Sequence, residues 1–279
     1  MNYVAEIDHP MIDRRGRIDR RQKPVPRFAT ELEQAIELGT VEVLFQPQFL
    51  CADGSLAGAE ALLRWYHPDA GELSGDRVFE LAKEAGLAGP LTRYLCQAAM
   101  SAATKFPEAV RLSLNATPDD LADESYPGVI RESLSRSGFP ASRLTLEITE
   151  QALVDRLDVT ATVLRQMVND GISIALDDFG AGFCNFRYLK VLPLAALKLD
   201  RSMVEGIATD RQDLAVFRAI MAMAHALDLR VIAEGVETEA QRKAVCREGC
   251  DRWQGFLGAK PLSASEFAAL QSFFLPGKN

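Results

Sequence analysis

From residue 28 onward, short runs rich in β-formers alternate with longer runs of helical periodicity. No other feature of the chain limits its fold so strongly. FATELEQAIELG (28–39) predicts a helix, with Thr30 as its cap and Gly39 as its stop. VEVLFQPQFL (41–50) and LAGAEALLRW (56–65) predict strands around the turn-forming CADGS. Helical segments follow near 76–87 and 91–106. Further strands are expected at AVRLSLNA (109–116), RLTLEITE (143–150), SIALDD (173–178), ALKLD (196–200), RVIAEGV (230–236) and RWQGFLG (252–258). Helices are expected near 126–137, 157–170, 185–190, 211–227 and 238–248, and one at 264–274 closes the pattern.

That makes about eight strands, six of them in clear β-then-α succession, which implies a parallel sheet covered by helices. Eight units over about 250 residues favour a closed barrel over an open sheet. The first two strands are joined by a loop too short for a crossover, so they form an antiparallel hairpin. The expected class is therefore α/β: a modified TIM-like (β/α)8 barrel with an antiparallel first strand. Residues 28–279 are expected to form this one domain. Residues 1–27 end in RRGRIDRRQKPVPR and read as a basic, solvated arm or as a contact segment for a partner or an acidic patch.

Composition narrows the function classes. The net charge of -8 argues against nonspecific binding to a nucleic-acid polymer or an anionic membrane. No run approaches the ~18 apolar residues of a membrane span. The first residues, MNYVAEIDHPMIDRRGR, lack the apolar centre of a signal peptide. A cytoplasmic protein without membrane insertion is expected. Cys51, Cys96, Cys184, Cys246 and Cys250 are odd in number and scattered, which predicts free thiols, with Cys246 and Cys250 as ordinary helix residues.

Strand side chains alternate between faces. Glu60, Leu62 and Arg64 share one face of their strand, Ser113 and Asn115 one face of theirs. Thr145, Glu147 and Thr149 oppose Leu144, Leu146 and Ile148. Asp177 and Lys198 likewise oppose leucines. The small or polar face should point into the barrel and the apolar face toward the helices. Most of the polar residues fall near the C-terminal strand ends, where such barrels place their chemistry.

The inventory at that end is Glu60, Asn115, Glu147, Asp177, Asp178, Lys198, Glu234 and Gln254. Two carboxylates as close as Asp177 and Asp178, ~4–5 Å, repel by ~3–4 kcal/mol at an effective dielectric of about 20. Five carboxylates against one lysine and one nearby arginine call for a further cation. An oxygen-rich set of this kind selects Mg, Mn or Ca, and none of His9, His67 and His225 belongs to it. Two divalent ions are a recurrent device for phosphoester hydrolysis.

GAEALLRW (58–65) resembles the signature of EAL-domain cyclic di-GMP phosphodiesterases. FQPQF (45–49), LSLNAT (112–117), LEITE (146–150), the stretch from LDDFG to KLDRSMV (176–204), AEGVET (233–238) and QGFLGAKPL (254–262) resemble further motifs of that family in the same order. The resemblance spans roughly residues 28–275. It implies an EAL-type barrel that hydrolyses cyclic di-GMP to linear pGpG with Mg2+ or Mn2+, two ions in all.

Carried over by position, Glu60, Asn115, Glu147 and Asp177 would hold metal, and Asp178 would help to hold a second ion. Glu234 would bind metal or act as the base for the attacking water, and Lys198 would orient that water and stabilise charge. Gln254 would complete the site, and Gln46, Leu62 and Arg64 would contact the substrate. Glu150 would brace the loop after Asp178. A second copy of the chain is also a candidate partner.

That loop departs from the family. Ala181, Gly182, Phe183, Cys184 and Asn185 stand where the family usually has Thr-Gly-Tyr-Ser-Ser, so hydroxyls that could order it are lost. Such losses around metal ligands cost ~10–100-fold. A sensor of the same fold that binds cyclic di-GMP without cleaving it is the alternative. An unrelated barrel enzyme with carboxylate-held metal and a lysine base is a third reading.

Overall fold

The computed structural model describes residues 25–150, 157–182 and 186–274. The chain opens with helix α1 (Val25–Leu38), which stops at Gly39 in the left-handed conformation, φ +66°. Thr30 lies inside this helix rather than at its cap, because the helix starts five residues earlier. Of the expected arm, residues 1–24 lie outside the described residues, and 25–27 form the first turn of α1.

Strands β1 (Glu42–Leu50) and β2 (Leu56–His67) form the expected antiparallel hairpin. Its turn rests on Gly54 at φ +72° and on the Asp53 carboxylate, which accepts from the Ser55 amide at 2.9 Å. Strand β3 (Gly71–Ser74) pairs antiparallel with the far end of β2. It was not expected, because four mostly exposed residues without apolar alternation read as loop. Helices α2 (Gly75–Glu84) and α3 (Ala88–Ala103) lead to β4 (Arg111–Ala116).

Short helix α4 (Pro118–Ala122) carries a capping box between Thr117 and Asp120 and precedes α5 (Tyr126–Ser137). Then β5 (Leu144–Thr149), α6 (Leu157–Asn169), β6 (Ser173–Phe179), α7 (Phe186–Val191) and β7 (Ala196–Leu199) follow. Next come α8 (Arg201–Glu205), α9 (Arg211–Ala226) and β8 (Arg230–Ala233). Helix α10 (Glu239–Arg247), β9 (Arg252–Gln254) and α11 (Ala264–Phe274) complete the order.

The strand order is β1-β9-β8-β7-β6-β5-β4-β2-β3, and β1 also pairs with β2, so eight strands close into a barrel with β3 outside the ring. Strand β1 runs antiparallel to both of its barrel neighbours, and the other barrel pairs are parallel. The fold is thus the modified β/α barrel expected. Strands β8 and β9 end earlier than predicted, because the chain turns at Gly235, φ +63°, and packs Gly255 against the Val236 backbone, where no side chain fits.

Burial follows the alternation. Leu112, Leu114, Leu146, Ile148, Ile174, Leu176, Leu197 and Val231 form the main core with Met100, Ile130, Leu164, Phe217 and Val245 from the surrounding helices. A second cluster of Phe28, Leu32, Leu63, Trp65, Val78, Leu81 and Leu91 holds α1, α2 and α3 on β2. Inside the barrel, Ala175, Ala196 and Ile232 form a small apolar layer.

The cysteines correct the sequence reading. Cys51 and Cys246 form a disulfide that ties the β1–β2 turn to the end of α10. They are 195 residues apart, and it is barrel closure, which hydrogen-bonds the Cys51 amide to the Asp251 carbonyl at 3.0 Å, that brings their Cα atoms to 5.0 Å. Cys96 and Cys250 are free and buried, and Cys250 lies beyond α10 rather than on it. Cys184 lies outside the described residues. No helix among the described residues is long and apolar enough to cross a membrane.

Candidate active site

At the C-terminal end of the barrel, Lys198 stands at the centre of four carboxylates. Its Nζ lies 2.7 Å from Glu147 Oε2, 2.8 Å from Glu234 Oε1, 3.0 Å from Asp177 Oδ2 and 3.5 Å from Glu60 Oε2. Each comes from a different strand or strand end: Lys198 from β7, Glu60 from β2, Glu147 from β5, Asp177 from β6 and Glu234 from just past β8. The lysine side chain is only 1% exposed. Its ammonium has three N–H groups for four acceptors, so the contacts share them.

Asp178 reaches the site by a different route. Adjacent residues of a regular strand face opposite ways. Between β6 and β7, however, Leu176 pairs with Leu197 and Phe179 with Leu199, so Asp177 and Asp178 together oppose Lys198. That is a β-bulge, and it re-aims the extra residue. Asp178 takes a left-handed φ of +55°, and its amide donates to Asp177 Oδ1 at 2.9 Å.

Amide side chains frame Glu60. Asn115 Nδ2 donates to Glu60 Oε1 at 2.9 Å, and Gln254 Nε2 donates to Glu60 Oε2 at 2.6 Å. Gln254 in turn accepts from Gln48 Nε2 at 3.0 Å. Gln48 was missed in the sequence reading. It sits two residues from Gln46 on the same face of β1 and pairs with Gln254 across the closing seam, so alternation alone was enough to flag it.

Burial pushes the Glu147 carboxyl up to about 8 against the pull of Lys198. Burial also raises Asp177 and Asp178, and it carries Glu234 well above the usual carboxylate range. Glu60 is the exception: burial acts upward, but Lys198 and the hydrogen bonds from Gln254 and Asn115 leave it lowered. Burial disfavours the Lys198 ammonium, yet the surrounding carboxylates hold its pKa well above its ordinary value. The cluster therefore has more acidic groups than one internal cation can keep ionised.

The donor set fits divalent metal. Two triplets, Glu60–Glu147–Asp177 and Asp177–Asp178–Glu234, each bring carboxylate oxygens within 4.8 Å of one another, and they share Asp177. All the donors are oxygen, as hard cations require. Glu147 Oε1 is buried with no hydrogen-bond partner, an acceptor left for a cation.

Above the cluster lies a cavity of ≈610 Å3, large enough for a small organic ligand. Gln46, Glu60, Leu62, Arg64, Asn115, Asp177, Asp178, Lys198, Glu234 and Gln254 all line it, and Glu147 lies behind Lys198. Arg64 is held at the cavity edge by Glu72 of β3 at 3.4 Å, not by Glu60. Glu150 lies one residue beyond β5, half-buried and outside the cavity lining, and of the loop after Asp178 that it was expected to brace, residues 183–185 lie outside the described residues. Phe256, exposed at the cavity edge with Lys260 Nζ 5.6 Å from its ring, was not anticipated.

A closed α/β barrel that gathers carboxylates around one lysine at its C-terminal rim defines a class of barrel proteins suited to divalent cations. Within that class the chain belongs to the EAL domain family, whose model matches residues 29–261. It is 37% identical over 247 residues to the cyclic di-GMP phosphodiesterase NbdA of Pseudomonas aeruginosa, covering 87% of this chain and 31% of NbdA. It is 33% identical over 243 residues to the bifunctional diguanylate cyclase/cyclic di-GMP phosphodiesterase MucR of the same organism, covering 86% of this chain and 36% of MucR. The chain thus spans about a third of the length of these curated relatives. Among solved structures, the PaMucR phosphodiesterase in complex with c-di-GMP superposes with a TM-score of 0.80 at 33% identity, covering 86% of this chain and 99% of that one.

Proposed function

We propose that this chain is a metal-dependent phosphodiesterase that hydrolyses cyclic di-GMP to linear pGpG. The observation that carries this reading is the pair of carboxylate triplets sharing Asp177 beneath a nucleotide-sized cavity. The phosphodiesterases NbdA and MucR support the choice of substrate.

Glu60, Asn115, Glu147 and Asp177 would hold one divalent ion, Mg2+ or Mn2+, and Asp178 would help to hold a second. When bound, such ions neutralise the phosphodiester and make water nucleophilic at neutral pH. Arg64, tethered by Glu72, meets a phosphate at the cavity edge, and Gln46 and Leu62 contact the rest of the substrate. Glu234 either completes that second site or, ionised once a cation offsets its burial, acts as the base that takes the proton of the attacking water. Lys198 stays protonated and holds Glu147, Asp177 and Glu234 in place. It orients the water only by releasing one of its four carboxylate contacts, of which the one to Glu60, at 3.5 Å, is the longest. Glu150 supports the loop that follows Asp178. A cytoplasmic location goes with this reading, and a second copy of the chain is a candidate partner.

Incubation of the pure protein with cyclic di-GMP and Mg2+ or Mn2+, followed by chromatography, tests it. The expected result is linear pGpG, abolished by a chelator. Binding without product supports the sensor alternative. Neither binding nor product sinks the assignment.

A further inference from the structure

The opposite mouth of the barrel carries its own set of inward-facing polar residues. Alternation places Arg111 of β4, Thr145 of β5, Ser173 of β6, Arg230 of β8 and Arg252 of β9 there. Gln48 joins them because β1 runs the other way. They line a cleft of ≈10 Å3, room for about one water-sized sphere. No carboxylate belongs to its lining among the described residues.

The three guanidinium groups differ in how they are satisfied. Arg111 donates to the Ser142 carbonyl at 2.7 Å and to the Ser173 hydroxyl at 2.8 Å. The Arg252 side chain, half-buried, makes no hydrogen bond and no ion pair with a described residue. Its neighbour Asp251 attracts it, but Asp251 Oδ2 accepts from the Val231 amide at 2.7 Å. Arg252 Nη1 packs against Gly58, where a Cβ would stand 3.4 Å from it and 2.7 Å from Gln48 Oε1. Burial first, and then Arg230 and Arg111, push Arg252 down to about 10. Burial, Arg230 and Arg143 lower Arg111 as well. Like charges gathered at one mouth repel, and an opposite charge among them relieves that repulsion.

We infer that this mouth binds a small inorganic anion, a chloride or one oxygen of a phosphate, between Arg111, Arg230 and Arg252. The cleft admits a single small atom, and the guanidinium forks, with the hydroxyls beside them, supply the donors that an anion needs. The site stands independently of the phosphodiesterase reading, since it lies across the barrel from the carboxylates and uses none of them.

Thermal unfolding of the full chain in chelator, at constant ionic strength, tests it. Gluconate is replaced stepwise by chloride in one arm and by inorganic phosphate in the other. The expected result is a saturating rise in midpoint of about 2–4 °C in at least one arm. Which arm responds tells halide from oxyanion. Arg230→Gln and Arg252→Gln should lose that rise, and Arg230, being exposed, leaves the fold intact if the Arg252 variant does not. Screening is held constant with ionic strength, and the ion-specific salt effect on the whole surface rises without saturation and is shared by the variants. A wild type indifferent to the anion, or variants that respond as the wild type does, overturns the proposal.

Discussion

The two ends of the barrel are made from the same strands and solve opposite charge problems. At the C-terminal rim, four carboxylates surround Lys198 at 2.7–3.5 Å and Asp178 adds a fifth beside Asp177, so a large part of the neutralisation is internal. At the N-terminal mouth, Arg111, Arg230 and Arg252 meet hydroxyls, an amide and backbone carbonyls, with no internal anion in the lining. Between them lie Ala175, Ala196 and Ile232, too small or too apolar to bring the charges together. Gln48 touches both ends, lining the mouth and bonding to Gln254, which bonds to Glu60. The contrast teaches that one scaffold can be prebuilt around a fixed counter-charge at one end and depend on solvent ions at the other.

The largest effect should come from Glu60→Ala. It removes a carboxylate that Asn115, Gln254 and Lys198 all contact. Cyclic di-GMP turnover should fall by at least about 10²–10³-fold, the scale of losing one primary electrostatic group. Wild-type turnover in that variant would separate the rim from the chemistry.

Lys198→Met breaks the internal neutralisation itself. The metal-free variant should lose ~3–5 kcal/mol in urea unfolding, because the carboxylates remain buried without their partner. Mn2+ should restore part of the loss. Arg252→Met at the other end should cost little or nothing, since it removes repulsion rather than a partner. If the two substitutions cost the same, the contrast fails.

Gln48→Ala tests the link between the ends. Its partner Gln254 would lose the bond that orients it toward Glu60. Metal affinity, read by calorimetry, should fall about 10–100-fold. Unchanged affinity would make Gln48 a packing residue only.

The mildest test is pH. The folded, metal-free chain holds a proton on Glu147 up to about 8, whereas the unfolded chain releases it near the ordinary 4.5. Stability of the metal-free chain should therefore fall as pH rises through that window. Divalent-ion affinity should move the other way, rising by up to about tenfold per pH unit until pH passes 8. Metal binding indifferent to pH between 6 and 8 would show that Glu147 is not a ligand.

Much of the rim was legible in the chain. Glu60, Glu147 and Lys198 sit at inward positions of runs whose leucines face the other way, and period-two alternation needs only neighbouring residues. Asp178 was legible as a polar strand-end residue but not as an inward one, because its direction comes from a bulge and a left-handed φ of +55°. Strand β3 was hidden by its shortness and exposure, yet it supplies the Glu72 that positions Arg64. The Cys51–Cys246 bond ran against the free-thiol expectation, since nothing local relates residues 195 apart.

The chain by itself determined which side chains face inward, how helices and strands succeed one another, and that acidic groups crowd one end, because those properties follow from local geometry and composition. Only the tertiary structure decided how far apart the charges stand, that β1 seals the ring by pairing with β9, and that arginines from the beginnings of β4, β8 and β9 converge at a single mouth. Closure and register join residues across the whole length of the chain, and the energy that selects them comes from packing the entire barrel at once.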